Sequence, residues 1–145
     1  MIGLLQRVSW ARVSIDGEVT AQIDKGLLVL LGIEKEDNEE KADKLLHKLI
    51  NYRVFSDEQG RMNLSLLDIN ADLLLVSQFT LAATTDKGLR PGFSSAMPPE
   101  QAEKLYEYLV SQAGQKSFKL GTGRFGADMK VALENDGPVT FTLRS

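Results

Sequence analysis

Cysteine is absent from the 145 residues, and histidine occurs once, at His47. Without a thiol there is no disulfide framework, no thiolate nucleophile and no thiolate zinc site. A single imidazole excludes a histidine-rich metal centre and leaves only His47 for a Ser-His-Asp arrangement. No apolar run is long enough to span a bilayer, and the longest, Leu27 to Ile33, is interrupted by Gly32. The opening Met1-Ile2-Gly3-Leu4-Leu5-Gln6-Arg7 lacks the basic region, apolar core and small-residue cleavage site of a signal peptide. The chain therefore reads as cytoplasmic, with no membrane partner. Positive charge is not in excess either: 17 Lys and Arg against 20 Asp and Glu leave a net charge of −3. Proteins that grip long stretches of nucleic acid through phosphates are normally basic. Any nucleic-acid contact here is expected to be local.

What is present describes one ordinary globular domain over residues 1–145, with 43% hydrophobic and 26% charged residues. Val13 and Ile15 lead into Asp16-Gly17, a favoured two-residue hairpin turn, and Val19 restarts the alternation. After a turn at Asp24-Lys25-Gly26, Leu27 to Leu31 reads as a strand buried on both faces. The opening third is expected to be a β-meander. Arg7, inside the first strand, can brace backbone carbonyls with its fixed fork of donors, although arginines in such places are more often surface residues.

A helix follows, with Asp37 and Asn38 as N-cap candidates and Glu39 and Glu40 at the positive end of the dipole. Ala42, Leu45, Leu46, Leu49 and Ile50 form its apolar stripe. His47 falls off that stripe and reads as solvated, which removes histidine-based catalysis. Tyr52 to Phe55 reads as a short strand, Asp57 to Gly60 as a turn, and Met62 to Leu67 as a weaker extended segment. Leu73 to Phe79 is the next strand, followed by a loop over Ala82 to Ser95 in which Arg90 and Phe93 favour packing over free flexibility. A second helix starts at Pro98-Pro99, with Ala102, Leu105, Tyr106, Leu109, Val110 and Ala113 buried and Gly114 as its stop. Tyr106 and Tyr108 read as packing residues.

Gly121-Thr122-Gly123-Arg124-Phe125-Gly126 matches G-x-G-x-x-G in form only, because no helix follows it. Ala127, Met129, Val131 and Leu133 alternate with polar residues, as in a half-exposed strand. No dinucleotide or other cofactor, and no metal, is implied. Asn135-Asp136-Gly137-Pro138 reads as a hairpin turn into a last strand bearing Val139, Phe141 and Leu143. The fold class is α+β: a curled, mostly antiparallel sheet, barrel-like or sandwich-like, with two main helices packed against it.

The most informative stretch is Ser77-Gln78-Phe79-Thr80-Leu81, which abruptly ends the apolar run Leu73-Leu74-Leu75-Val76. Such a strand end either caps a sheet or holds backbone N–H groups rigid beside hydroxyl and amide donors. Ser77, Gln78, Phe79 and Thr80 are therefore the candidate catalytic residues.

Together with Asn135-Asp136-Gly137-Pro138-Val139-Thr140, this stretch resembles the signature of the D-aminoacyl-tRNA deacylase (D-tyrosyl-tRNA deacylase) family. The resemblance runs over essentially the whole chain, through Gln6-Arg7-Val8, Gly26-Leu27-Leu28-Val29, Arg90-Pro91-x-Phe93-Ser94 and Thr122-Gly123-Arg124-Phe125. It implies a homodimeric carboxylic ester hydrolase that removes D-amino acids, and glycine in some contexts, from tRNA. It also implies that a cis Gly137–Pro138 peptide of one chain enters the site formed by Ser77 to Leu81 of the other. The carbonyls of Gly137 and Pro138 would hold the substrate amino group and exclude an L side chain. Arg7 would orient them, and Val139 and Thr140 complete that motif. Phe125 and Met129 would flank the 3′-terminal adenine of the aminoacyl-tRNA.

Ester hydrolysis needs donors for a tetrahedral oxyanion, which the backbone N–H groups of Gln78 and Phe79 are expected to provide. With no strong base in sight, the ribose 2′-OH would assist. Thr80 ranks first as a positioning group and second as a nucleophile, because a threonine hydroxyl needs an activating base. Two rival readings stand beside this one: a Thr80-nucleophile ester hydrolase, and a non-enzymatic nucleic-acid-binding module on the same fold. A purely structural dimerisation domain leaves both polar motifs unexplained.

Overall fold

The computed structural model describes residues 1–145. Strand β1 (Ile2–Ile15) turns at Asp16-Gly17 into β2 (Glu18–Ile23). Both turn residues have positive φ, 51° and 80°, the geometry that favours an Asp-Gly hairpin. Strand β3 (Gly26–Gly32) then pairs with the first half of β1, from Ile2 to Val8, rather than with β2. The expected meander is therefore not formed. At 14 residues β1 is long enough to serve β3 with one half and β2 with the other.

Helix α1 (Glu39–Asn51) begins where Asn38 accepts the N–H of Lys41 at 3.0 Å, and its whole expected stripe is buried. The strand expected at Tyr52 to Phe55 shrinks to β4 (Phe55–Ser56), paired with β5 (Met62–Leu64). The extended reading of Met62 to Leu67 ends at Leu64, because Ser65 and Asp68 form a capping box that starts the short helix α2 (Leu66–Ile69). Strand β6 (Asp72–Ser77) runs parallel to β3, and a 3-10 turn over Phe79–Ala82 follows, so the strand ends two residues before the expected Phe79. Helix α3 (Pro99–Gly114) follows, with Gln115 rather than Gly114 as its C-cap. Strand β7 (Leu120–Thr122) extends the sheet parallel to β6.

Strand β8 (Lys130–Arg144) pairs antiparallel with β1 along nearly its whole length. The expected hairpin at Asn135 to Pro138 does not form. The register passes from Gln6↔Thr140 to Val8↔Asn135, so Asp136, Gly137, Pro138 and Val139 all lie opposite Arg7 alone. They form a blister in one continuous strand. A bulge lets a strand push residues outward while the ladder resumes on either side.

The mixed sheet curls on itself. Leu27, Val29 and Leu31 of β3 join α1 and α3 in one core, while Leu28 packs with Val8, Val13, Ile23 and Leu74 in a second core within the curl. This division explains why β3 and β6 are apolar on both faces. Each fully buried leucine contributes about 2 kcal/mol, so both layers stabilise the curl. No helix is long and apolar enough to cross a membrane.

Candidate active site

The end of β6 opens onto a cavity of about 700 Å³ in which 12 of the 18 lining residues are hydrophobic. That volume suits a nucleoside-sized group, and the apolar walls suit a flat ring. Ser77, Gln78 and Phe79 line one side, and Phe125 and Met129 line another. Phe93, from the loop before α3, sits 5.0 Å from Phe79 between ring centroids. The loop is less packed than expected: Phe93 touches Phe79 yet is 41% exposed, Arg90 is exposed, and Leu89 is fully so.

The backbone donors differ by one residue from the sequence expectation. The N–H of Gln78 donates to the carbonyl of Leu31 at 2.7 Å, continuing the β3–β6 ladder. The N–H groups of Phe79 and Thr80 have no partner within the chain. They open the 3-10 turn, where the first N–H groups are left over by geometry. Gln78 Nε2 donates to Thr80 Oγ1 at 2.6 Å, and no carboxylate or imidazole bonds that hydroxyl. His47 is exposed on α1, where its Nδ1 lies 3.4 Å from Asn51 Nδ2.

The second motif forms a separate locus on β1 and β8. Arg7 Nε donates to the carbonyl of Asp136 at 2.8 Å, and its NH1 donates to the carbonyl of Val54 at 2.7 Å. The arginine thus braces the carbonyl immediately before Gly137, and its side chain is only 13% exposed. Gly137–Pro138 is a cis peptide, and both residues are exposed.

Asn135, to which sequence reasoning assigned no role, closes the blister. Its Oδ1 accepts the N–H of Val139 at 2.7 Å, while its Nδ2 donates to the Val139 carbonyl and to Thr140 Oγ1. The signal was present in the sequence: asparagine side chains readily bond a backbone a few residues on. Gly137 is confined as well. A Cβ there would lie 2.5 Å from the N of Val139, a backbone atom that cannot step aside.

Within one chain these two loci do not meet. Gly137, Pro138, Val139 and Thr140 do not line the cavity. Strands β1 and β3 lie between β8 and β6, a span of about 14 Å at ordinary strand spacing. No group of three or more His, Cys, Asp and Glu side chains is placed to hold a metal ion.

Comparison with known proteins matches residues 4–144 to the family model for D-Tyr-tRNA(Tyr) deacylase. The chain belongs to that family. It is 62% identical to a D-aminoacyl-tRNA deacylase of Stutzerimonas stutzeri (strain A1501) over all of both chains. Identity is again 62% with the D-aminoacyl-tRNA deacylase of Pseudomonas putida (strain GB-1), covering 99% of each. Among solved structures, a c-Myc DNA unwinding element binding protein superposes with a TM-score of 0.94 at 41% identity, covering 100% of this chain and 99% of its own. A structure described as a probable eukaryotic D-amino acid tRNA deacylase superposes with a TM-score of 0.82, covering 98% of this chain and 97% of its own; at 15% identity it bears on fold alone. Membership in the family makes the protein a hydrolase by class.

Proposed function

We propose that the protein hydrolyses the ester of D-aminoacyl-tRNA and of mischarged glycyl-tRNA, sparing L-aminoacyl-tRNA, as a homodimer in the cytoplasm. The observation that carries this reading is the largely apolar cavity at the end of β6, in a chain of the deacylase family. The terminal adenosine enters between Phe125 and Met129, since rings and thioethers suit a base. Its aminoacyl ester then lies at Ser77 to Thr80. Unpartnered backbone N–H groups there stabilise the tetrahedral oxyanion, and the ribose 2′-OH helps to activate or place the water.

Selectivity comes from exclusion. Enantiomers differ only in where hydrogen and side chain sit on Cα. A site that holds the amino group with the Gly137 and Pro138 carbonyls leaves no room for an L side chain. Glycine has nothing to clash and is accepted. Because Gly137 and Pro138 stand apart from their own chain's cavity, a second copy supplies them, giving two equivalent composite sites per dimer.

Thr80 positions and does not attack, since its hydroxyl is bonded to Gln78 and no base faces it. The test is release of amino acid from D-Tyr-tRNA, L-Tyr-tRNA and Gly-tRNA side by side. Loss from the D and glycyl esters with the L ester spared is the expected result. No cleavage of any of the three by clean dimeric protein overturns the reading.

A non-enzymatic nucleic-acid-binding module is the second reading, favoured by the name of the neighbour at 41% identity. The net charge of −3 weighs against it. Strong, salt-dependent duplex binding without ester hydrolysis would bring it forward.

A further inference from the structure

The hydroxyl of Tyr106 takes no part in the chemistry above, yet it is buried in α3 at the junction of both cavity-lining segments. It donates to the carbonyl of Leu75 at 3.0 Å and lies 3.4 Å from the carbonyl of Gly123. Leu75 stands two residues before Ser77, and Gly123 two residues before Phe125. The tyrosine ring also packs against Phe125, with centroids 6.0 Å apart.

The Leu75 carbonyl does not need this hydroxyl, whereas the Gly123 carbonyl has Tyr106 as its donor. The N–H of Gly123 already donates to the same Leu75 oxygen at 2.8 Å. Pairing of β6 with β7 ends at Leu75↔Thr122, so Gly123 is the first residue past the ladder. Tyr106 therefore adds a side-chain tie at the point where the chain leaves the sheet to present Phe125. The crossing is close-packed, since a Cβ on Gly123 would lie 2.8 Å from Met129 Sδ and 3.4 Å from Val76 Cγ1. A phenylalanine would fill the same volume without the tie, and a buried hydroxyl is costly unless it is bonded.

We infer that Tyr106 is a positioning residue for base recognition: its hydroxyl fixes the Gly123–Phe125 segment against the end of β6 and so sets the wall that receives the terminal adenine. The inference rests on the deacylase reading, and the experiment separates the two. Steady-state hydrolysis of D-Tyr-tRNA is compared for wild type, Tyr106→Phe and Tyr108→Phe. The control loses an equivalent hydroxyl, bonded to Asp43 at 3.1 Å on the surface.

In Tyr106→Phe, KM is expected to rise about fivefold because the Phe125 wall is held less firmly for the base, while kcat stays within about twofold and the control matches wild type. An unchanged KM in Tyr106→Phe overturns the inference, whatever kcat does. So does an equal rise in both variants, since that reports a general loosening. Wild-type protein that cleaves no D-Tyr-tRNA sinks the deacylase reading, and the inference with it. Active wild type with an unaltered KM in Tyr106→Phe sinks the inference alone.

Discussion

Arg7 holds the carbonyl oxygen of Asp136 at 2.8 Å, one peptide before Gly137–Pro138, and ties that carbonyl to Val54 through its other arm. A lysine offers one point charge and cannot span both carbonyls with a rigid fork. Arg7→Lys is therefore expected to lower D-ester hydrolysis about tenfold and to narrow the difference between D and L esters, at the scale of one charged hydrogen bond. Parallel D- and L-Tyr-tRNA assays check this, and unchanged selectivity refutes the bracing role.

Thr80→Ala removes a hydroxyl held by Gln78 and faced by no base. We expect activity to remain within about tenfold of wild type, because a positioning group contributes less than a nucleophile. A trapped acyl-enzyme on Thr80, identified by mass spectrometry of quenched protein, would contradict this.

Composite sites can be tested by mixing inactive protomers. Gly137→Ala forces a Cβ against the backbone of Val139, and Phe79→Pro deletes one unpartnered N–H. Each homodimer should be inactive. Random mixing of two-fold dimers gives about half heterodimers, each with one intact site of two, so about a quarter of wild-type activity returns. No recovery after verified exchange means that each site lies within one chain.

Burial pushes the Tyr106 phenol up to about 12. The folded state holds this proton more tightly than the unfolded state, so its contribution to stability is intact below the ordinary tyrosine value and is lost as pH climbs towards 12. Chemical denaturation from about pH 9 upward should show a steeper loss for wild type than for Tyr106→Phe. Parallel curves would show that this phenol is not perturbed.

Asp68 behaves in the opposite sense. Backbone and hydroxyl bonds from Ser65 hold its carboxylate below the ordinary range. Its contribution is present above the unfolded carboxylate pKa and is lost as pH falls through the lowered folded value. Asp68→Asn should therefore flatten the stability curve below about pH 4, read by urea unfolding. An unchanged acid slope would remove Asp68 from the account of acid sensitivity.

Much of the architecture was legible as local pattern. The α1 stripe, the α3 stripe apart from the half-buried Val110, the Asp16-Gly17 hairpin and the doubly buried β3 all follow from periodicity and turn chemistry, which need only neighbouring residues. Both motifs of the candidate site stood in the sequence because polar groups abruptly replace an apolar run at Ser77, and because Gly and Pro interrupt alternation at 137 and 138. Composition by itself excluded thiol chemistry, thiolate zinc sites and histidine-rich metal centres, and the place of His47 off the α1 stripe spoke against histidine catalysis.

Other features depend on pairings distant in sequence. Whether Asn135 to Pro138 turns the chain back or bulges from a continuous strand is decided by β1, which offers one residue, Arg7, against four. The same long β1 decides that β3 pairs with its first half and not with β2. Tyr106 sits on a helix stripe like any core residue, and only the crossing of β6 with Gly123 turns its hydroxyl into a tie between the cavity's walls. Local sequence determines which elements form and which residues are apolar. The tertiary fold decides which carbonyl each donor meets, because those partners lie far apart in sequence, 129 residues for Arg7 and Asp136, and are joined only by the closing of the sheet.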